Sequence, residues 1–362
     1  MPSSRQADDL FQSALGLFDL GDLPAAAEGF AHALSIDGSH QLAHYQLGNV
    51  FREQCRYPEA EREFEVALAL SPRHAESYNN LGVVQQVTGR TDEAIASYQH
   101  AVELKPALSQ AYLNLGRLLT HLGRRGEAAE CYRHAVSSSD KPEIFTHLLA
   151  GLEGHSSGTA PADYVRATFD GFARQFDEQL VGRLDYHVPE AIAHAVARIR
   201  PFAPASADVL DLGCGTGLSG FALARIARKL VGVDLAARML HEARARGCYH
   251  ELAQADVLAW MRAAPAAQFD LIVAADVLIY LGELDALFGE AARLSHPKAL
   301  FAFSIEACAD GDCRLQESGR YAQSATYIER LAREHRFTVS LKVKQAIRKP
   351  IVGLLYVLTR QL

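Results

Sequence analysis

Residues 209–217, VLDLGCGTG, decide the fold of the second half of this 362-residue chain. The apolar run before the glycines predicts a buried strand, and a helical pattern follows them to about Lys229. Gly213, Gly215 and Gly217 let the chain turn sharply and let a ligand approach where a Cβ would clash. Asp234 ends the next predicted strand, where a carboxylate can accept hydrogen bonds from ribose hydroxyls. The segment therefore predicts a nucleotide-type cofactor at a sheet edge.

Strand-like and helix-like segments alternate through the rest of this half. This alternation favours an α/β domain with a mostly parallel sheet covered on both faces. The last two strands, joined by a short turn near Pro350, favour an antiparallel edge. Predicted strands include 208–212, 230–235, 269–276 and 299–305, then FTVSLKVKQA and PIVGLLYVLTR.

Two cofactors fit the glycine segment. The dinucleotide pattern G-x-G-x-x-G fails from Gly213, because Leu218 stands at its third glycine, but it matches from Gly215 through Gly217 to Gly220. That match begins two glycines late relative to the strand. An NAD-dependent oxidoreductase is therefore a remote alternative.

Four segments, LDLGCGTG, GVDLAARML, QADV and FDLIVAADVLIYL, resemble in order and spacing the motifs of class I S-adenosylmethionine-dependent methyltransferases, over roughly residues 160–362. The resemblance implies a Rossmann-like fold, S-adenosylmethionine as the cofactor, and methyl transfer (EC 2.1.1.-). It implies that Asp234 binds ribose, that Asp256 and Val257 lie beside adenine, and that the glycines face the methionine part. Ordinary core packing is the alternative for Leu235 and Met239. The implied cofactor residues are Asp211, Gly213, Cys214, Gly215, Gly217, Asp234, Leu235, Met239, Asp256, Val257 and Ala275.

Acceptor-side residues are predicted from their places near the strand ends. A general base is optional, because carboxylate and thiolate acceptors need no proton removal. The Arg320-Tyr321 pair precedes a helix and could orient an anionic substrate, and Glu306 follows the fifth strand. Capping or surface roles are the alternatives. The candidate bases and orienting residues are His187, Asp276, Tyr280, Glu306, Arg320 and Tyr321.

The first 142 residues repeat with a step of 34, and the pattern resembles the tetratricopeptide repeat, a helix–turn–helix unit. Alanines recur at 26, 60, 94 and 128, aromatic residues at 30, 64, 98 and 132, and a turn position at Gly21, Cys55, Gly89 and Gly123. Leu-Gly recurs at 47–48, 81–82 and 115–116. The predicted units are 7–40, 41–74, 75–108 and 109–142.

A capping helix, 143–153, closes this predicted repeat domain of residues 1–153. A linker, 154–163, leads to a methyltransferase domain, 164–362, made of lid helices at 164–204 and a core at 205–362. The first lid helix carries an aromatic edge of Phe169, Phe172 and Phe176. The whole chain resembles predicted bacterial methyltransferases that contain tetratricopeptide repeats.

Repeat arrays stack into a concave surface that holds partners. The sixth positions of units two to four, Gln46, Asn80 and Asn114, could hydrogen-bond an extended peptide backbone, as in the O-GlcNAc transferase family. The alternative is that they are solvated or stack the helices. We expect a protein or peptide partner, or self-association, with the repeats delivering an acceptor for methylation. A binding or scaffolding protein without turnover is the other class of function.

Composition excludes several classes. The net charge of −7 disfavours a general nucleic-acid binder. Six cysteines without a CxxC pair predict neither a disulfide framework nor a metal site. The longest apolar run near the C-terminus, 351–358, is too short for a membrane helix, and the N-terminus lacks a signal-peptide core. A cytoplasmic protein is expected. The basic stretch 314–360 is interpreted as a solvated edge, with a patch for an acidic substrate as the alternative.

Overall fold

The structure, a computed structural model, describes residues 2–155, 158–170, 177, 182 and 184–362. It divides into two compact units, Met1–Thr146 and His147–Leu362. The division lies within the helix that was predicted to cap the repeats. Within the described ranges, no helix is both long enough and apolar enough to cross a membrane.

The first unit confirms the helical repeats. Each predicted unit contains a pair of helices, and the turn positions Gly21, Cys55, Gly89 and Gly123 all have positive φ. The helices are α1 (Pro2–Leu20), α2 (Leu23–Ile36), α3 (Gln41–Glu53), α4 (Tyr57–Leu70), α5 (Ala75–Val87), α6 (Thr91–Leu104), α7 (Ser109–His121), α8 (Arg125–Ser138) and α9 (Pro142–Glu153), which continues into the second unit.

The glycine of each Leu-Gly pair makes room for the aromatic residue of the same repeat. A Cβ on Gly82 would lie 2.8 Å from Cδ1 of Tyr98 and 3.2 Å from the carbonyl oxygen of Ala94. A Cβ on Gly48 would lie 2.7 Å from Cε1 of Phe64. Tyr98 and Phe64 are fully buried. The two helices of a repeat therefore touch through a glycine and a ring, which explains why both recur every 34 residues.

We predict that Gly82→Ala lowers the free energy of unfolding by about 1–3 kcal/mol, because the added methyl group overpacks a contact that includes immobile backbone. Gly126→Ala is the matched control. No heavy atom lies within 4 Å of a Cβ at that exposed helical position, so alanine should raise helix stability by about 0.5–1 kcal/mol. Chemical denaturation of both variants measures the difference. Equal effects would contradict the packing role.

In the described part of the second unit, a nine-stranded sheet has helices packed on both faces. Its helices are α10 (Ala162–Asp170), α11 (Val188–Ile199), α12 (Leu218–Leu223), α13 (Ala237–Ala245), α14 (Val257–Ala263), α15 (Asp285–Leu294) and α16 (Ala325–Glu334). Its strands are β1 (Ala207–Leu212), β2 (Ala227–Asp234), β3 (Glu251–Gln254), β4 (Phe269–Ala274), β5 (Ser295–Ala307), β6 (Cys313–Leu315), β7 (Tyr321–Gln323), β8 (Phe337–Arg348) and β9 (Ile351–Arg360).

Strands β3, β2, β1, β4 and β5 are parallel neighbours in that order. β9 pairs antiparallel with both β5 and β8, which confirms the predicted closing pair. The predicted helix after the glycines is wrong in length. It ends at Leu223, and β2 already begins at Ala227. The short β6–β7 hairpin was not predicted. Phe172 and Phe176 lie outside the described residues.

Side chains alternate between two apolar layers, one on each face of the sheet. Leu210 and Leu212 pack in the layer that includes α15 and α16. Val209 packs in the other layer, which includes α11. Because strand side chains alternate, Asp211 continues the face of Val209, and Glu306 likewise continues the face of Ala302. Two carboxylates are thus directed to the same face, near the carboxyl ends of their strands.

Candidate functional site

The glycine loop, residues 213–217, follows β1. It lies beside the residues that follow β4, because β1 and β4 are parallel neighbours in the sheet. Gly213, Gly215 and Gly217 all have positive φ. A Cβ on Gly213 would lie 2.5 Å from Cγ2 of Val277, and one on Gly217 would lie 3.0 Å from Cε2 of Tyr249. A Cβ on Gly215 would meet nothing within 4 Å. Of the three, therefore, Gly215 has open space in front of it, whereas the other two make room for side chains.

Asp234 ties the loop to the end of β2. Its Oδ2 accepts the Gly215 N–H at 2.9 Å, and its Oδ1 accepts the Ala236 N–H at 2.8 Å. The side chain stays partly exposed. Asp234 therefore holds the glycine loop against the turn that follows β2, at the carboxyl end of the parallel strands.

Asp211 is fully buried beneath the loop. Its Oδ2 accepts the Tyr249 hydroxyl at 2.6 Å, and the same hydroxyl oxygen accepts the Gly220 N–H at 3.2 Å. Oδ1 is buried and has no hydrogen-bond partner in the described part of the chain. Burial raises the pKa of Asp211 to about 7, and the nearby Asp234 adds to the effect. An unpaired buried carboxylate oxygen is costly, so it points to a donor that arrives with a ligand.

A second cluster follows β4. It contains the predicted residues Asp276 and Glu306 together with Arg348, which sequence reasoning missed. Arg348, at the end of β8, is buried and donates Nη1 to Asp276 Oδ2 at 2.6 Å and Nη2 to Glu306 Oε1. Asp276 has φ +59° and donates its N–H to Ser304 Oγ at 2.9 Å. Asp276 Oδ1 is also buried with no partner among the described residues. One guanidinium therefore joins two predicted site residues and leaves one oxygen of Asp276 unsatisfied.

Tyr280, Arg320 and Tyr321 lie together beyond this cluster. Tyr280 ends a 3₁₀ turn, Leu278–Tyr280, and its ring lies 6.5 Å from that of Tyr164. Arg320 is partly buried and immediately precedes β7. Burial alone would lower the pKa of Arg320, but Tyr280 and Asp276 raise it. Tyr321 is fully buried, and a Cβ on Gly282 would lie 2.9 Å from its Cε1.

His187 is placed apart from these groups. Its side chain is 57% exposed, and Nε2 lies 3.1 Å from Asp185 Oδ1. The other oxygen of Asp185 pairs with Lys349 at 3.2 Å. Its neighbour Tyr186 is buried instead, and its pKa is raised by burial and then by Asp276. The residue before the predicted histidine is the one directed toward the cluster.

The remaining predicted cofactor residues have mixed placements. Asp256 is exposed and caps α14, accepting the Ala259 N–H at 2.9 Å. Met239 is buried against Ala236, with Phe169 packed beside them. Cys214 is buried, and burial raises its thiol pKa. Three others are half-buried, namely Leu235, Val257 and Ala275.

Asp177 is a further residue that sequence reasoning missed. Its Oδ1 accepts the Thr216 hydroxyl at 2.5 Å, and its Oδ2 accepts Nη2 of Arg246. Arg246 also donates Nε to the Thr216 carbonyl at 2.6 Å. Asp177 is thereby tied to the glycine loop. The described residues contain no cluster of metal-ligating side chains.

In the first unit, the predicted amides belong to a chain of hydrogen bonds across three repeats. Asn80 donates to Asn49 Oδ1 at 2.7 Å, and Asn49 donates to Gln46 at 3.0 Å. Asn79 donates to Asn80 at 2.8 Å and accepts from Asn114 at 2.9 Å. The amides therefore stack the repeats, while remaining partly exposed at Gln46, Asn80 and Asn114.

A family model for a methyltransferase domain matches residues 209–298, and one for tetratricopeptide repeats matches residues 39–107 and 73–141. The chain carries a methyltransferase domain after tetratricopeptide repeats. S-adenosylmethionine is the cofactor that such a domain implies. The matched span of the methyltransferase domain contains the glycine loop, Asp211, Asp234 and Asp276.

Two relatives match parts of the chain. The biotin biosynthesis bifunctional protein BioHC of Saccharophagus degradans is 32% identical over 123 residues, 31% of this chain and 22% of that protein. Trans-aconitate 2-methyltransferase of Azoarcus sp. is 39% identical over 102 residues, 28% of this chain and 39% of that protein. The chain thus spans less than half of either relative. A solved S-adenosylmethionine dependent methyltransferase from Mesorhizobium loti aligns with a TM-score of 0.38 at 18% identity, over 48% of this chain and 100% of that one.

The buried carboxyl of Asp211 predicts a pH-dependent stability. Its folded pKa of about 7 lies above about 3.9 in an unfolded chain. The folded state therefore binds more protons between these values, and this group makes the free energy of unfolding fall as pH rises through that window. In Asp211→Asn the fall should be shallower, by up to about 1.4 kcal/mol per pH unit. Urea denaturation between pH 5 and 7 measures it.

Asp208→Asn is the control for this measurement, because Asp208 lies near the other end of the same strand and pairs with Arg228. It should leave the slope near that of the unmodified chain. If the free energy of unfolding falls equally with pH in the unmodified chain and in Asp211→Asn, the predicted pKa shift of Asp211 is wrong.

Proposed function

We propose that this protein transfers a methyl group from S-adenosylmethionine to an acceptor, within a domain spanning residues 164–362. The observation that carries the proposal is the arrangement of Asp211, Asp234 and Gly215. The Asp234 carboxylate lies beside Gly215 at the open side of the loop, and Asp211 has a buried oxygen with no partner among the described residues. These features match a cofactor that offers ribose hydroxyls and an ammonium group.

The charges at the sheet edge fit this cofactor better than a dinucleotide. Asp211 and Asp234 would face a ligand that carries a sulfonium and an ammonium cation besides its carboxylate, whereas NAD carries an anionic pyrophosphate; Asp276 is already paired with Arg348. Asp234 would accept the ribose hydroxyls, Asp256 and the Val257 backbone would lie by the adenine, and Asp211 would receive the ammonium group. When bound, S-adenosylmethionine supplies an electrophilic methyl group. The protein's task is alignment and exclusion of water, which can contribute about 7–11 kcal/mol.

We propose that the repeat domain, residues 1–153, docks a protein or peptide partner that carries or delivers the acceptor. Self-association is the alternative. Support comes from the amide chain. The side-chain nitrogen of Asn80 donates to Asn49 and to Tyr45, so both of its N–H groups are used. Its amide oxygen has two lone pairs and can accept a further hydrogen bond. The partly exposed amides can therefore accept from a peptide backbone while they hold the repeats together. A cytoplasmic site of action agrees with six free cysteines.

Asp234→Ala tests the cofactor assignment. S-adenosylhomocysteine at about 100 times its dissociation constant should add about 2.7 kcal/mol to the stability of the unmodified chain, and the variant should lose this gain. Thermal unfolding with S-adenosylhomocysteine, S-adenosylmethionine or NAD measures it. Asp234 also holds two backbone amides, so its replacement is expected to lower stability even without ligand. The ligand-induced shift in unfolding temperature is therefore measured against the same variant without ligand. Asp208→Ala serves as the control and should keep the full shift.

A shift with NAD alone would overturn the assignment in favour of the oxidoreductase. Binding without turnover would favour the scaffolding alternative. The turnover arm supplies S-adenosylmethionine labelled in its methyl group to the full chain together with extract of its source cells. Label that enters no fraction, while the cofactor still binds, would refute methyl transfer.

A further inference from the structure

We infer that the acceptor of the methyl group is an amine nitrogen, whose N–H donates to Oδ1 of Asp276 at the carboxyl end of β4. The inference rests on the proposed methyl transfer and adds the chemical class of the acceptor. Its basis is a carboxylate that the fold holds in place while one of its oxygens has no partner among the described residues.

The backbone fixes where the Asp276 carboxylate lies. Asp276 follows β4 by two residues, and its N–H donates to Oγ of Ser304 on β5 at 2.9 Å. Its φ of +59° lies in the left-handed region, which costs free energy in a residue that has a Cβ. Because β4 and β5 are parallel neighbours, the carboxyl group lies at the edge where ligands bind in open α/β sheets.

The side-chain contacts engage one oxygen of Asp276 and leave the other. Nη1 of Arg348 donates to Oδ2 at 2.6 Å, and Nη2 of the same guanidinium donates to Glu306. Oδ1 is buried and accepts no hydrogen bond in the described part of the chain. The side chains of Arg348 and Glu306 are 6% and 3% exposed, whereas that of Asp276 is 18% exposed. Asp276 is therefore the member of the cluster that a ligand can reach.

The unpartnered oxygen selects the polarity of the group that binds to it. A carboxylate oxygen accepts hydrogen bonds and donates none, and a buried one that accepts none is costly. The missing partner is therefore a donor. A carboxylate or thiolate acceptor brings no N–H or O–H to this oxygen, and its negative charge is repelled there. An amine brings the donor that the oxygen lacks.

Asp276 is also adjacent to the glycine loop. Its neighbour Val277 fills the space where Gly213 lacks a side chain, because a Cβ on Gly213 would lie 2.5 Å from Cγ2 of Val277. Asp211, whose own unpartnered oxygen is assigned to the ammonium group of the cofactor, lies on β1, the parallel neighbour of β4. Two such oxygens thus lie near the carboxyl ends of adjacent strands, one for the cofactor and one for the acceptor that meets it.

A carboxylate suits an amine better than a hydroxyl as the nucleophile. Carboxylates are weak bases, and a neutral alcohol has to lose its proton as it attacks. The lone pair of a neutral amine attacks with its N–H groups in place, and the proton leaves afterwards from a much more acidic ammonium product. Acidic residues also outnumber basic ones in the repeats, residues 1–150, which favours a partner that carries cationic groups such as amines.

The reaction balances with the groups named. The amine enters in its neutral form and donates one N–H to Asp276 Oδ1, which leaves its lone pair directed away from the carboxylate. A bond forms between the nitrogen and the methyl carbon, the bond from that carbon to the sulfonium sulfur breaks, and the sulfur keeps the electron pair. The nitrogen is then cationic, and it releases a proton to Oδ1 and from there to water.

The first arm of the test identifies the product that the unmodified full chain forms. The chain is supplied with S-adenosylmethionine labelled in its methyl group and with an extract of its source cells. The labelled fractions are hydrolysed and compared with N-, O-, S- and C-methylated standards, and we expect the label on nitrogen. Label released as methanol from an ester, or recovered as an ether, thioether or C-methyl product, would overturn the amine and leave methyl transfer standing.

The second arm reverses the polarity at Oδ1. In Asp276→Asn the amide oxygen can still accept from Arg348, while an NH₂ group takes the place of Oδ1 and donates where the carboxylate accepts. The rate at limiting extract should fall about 10- to 100-fold, the range typical of a lost hydrogen bond to a charged group. A carboxylate acceptor predicts the opposite change, because the new NH₂ group would donate to it.

Asp285→Asn is the matched control and should keep the unmodified rate, because Asp285 is exposed at the start of α15 and pairs with His335. Binding of S-adenosylhomocysteine, followed by thermal unfolding, should be the same in both variants as in the unmodified chain. If Asp276→Asn does not fold, Asp276→Gly replaces it, since glycine adopts a positive φ freely, and the same loss of rate is expected.

A rate in the Asp276 variant equal to or above that of the unmodified chain would overturn the contact with the acceptor. Loss of S-adenosylhomocysteine binding by the folded variant would assign Asp276 to the cofactor and overturn the contact equally. Absence of label from every fraction of the unmodified chain would overturn methyl transfer itself, and the inference with it.

Discussion

Burial of carboxylates at one edge of a parallel sheet is the constraint on which the rest of the second unit depends. Each acidic group there is stabilised differently. Asp211 receives a phenol hydroxyl, Asp234 receives two backbone amides, and Asp276 shares a guanidinium with Glu306. These partners come from distant parts of the chain, so the same contacts that relieve the charge also fix the loop after β1 and the turn after β4. The oxygens left without partners are the ones that can receive a ligand.

Features encoded by neighbouring residues could be predicted from the sequence. The step of 34 identified the helix pairs, because the second, third and fourth pairs each bury a ring against their own glycine. The glycine segment and Asp234 were found because both follow buried strands. The interpretation of the glycines was less complete. Gly217 and Gly220 were considered for ligand approach, yet in the structure both lie against the Tyr249 ring. A sequence pattern cannot tell whether a missing Cβ admits a ligand or a side chain.

Partners that are distant in sequence could not be predicted. Arg348 stands 72 positions from Asp276, in a stretch rich in surface cations, and no local pattern distinguishes it from them. Tyr249 lies on an irregular connection, and Asp177 carries no motif. The β6–β7 hairpin consists of three-residue strands, which are too short to show a period of two. Two predicted residues, Arg320 and Tyr321, therefore come from a hairpin that the sequence did not reveal.

The glycine loop and the cluster after β4 are assembled in different ways. The loop and Asp234 lie in compact segments at the ends of β1 and β2, so neighbouring residues are sufficient to reveal them. The cluster after β4 has no such pattern, because Arg348 reaches Asp276 and Glu306 from the far end of β8. Its guanidinium stabilises both carboxylates, yet one buried oxygen of Asp276 keeps no partner among the described residues. An oxygen left in this way is costly, so a donor that arrives with a ligand would be stabilised there.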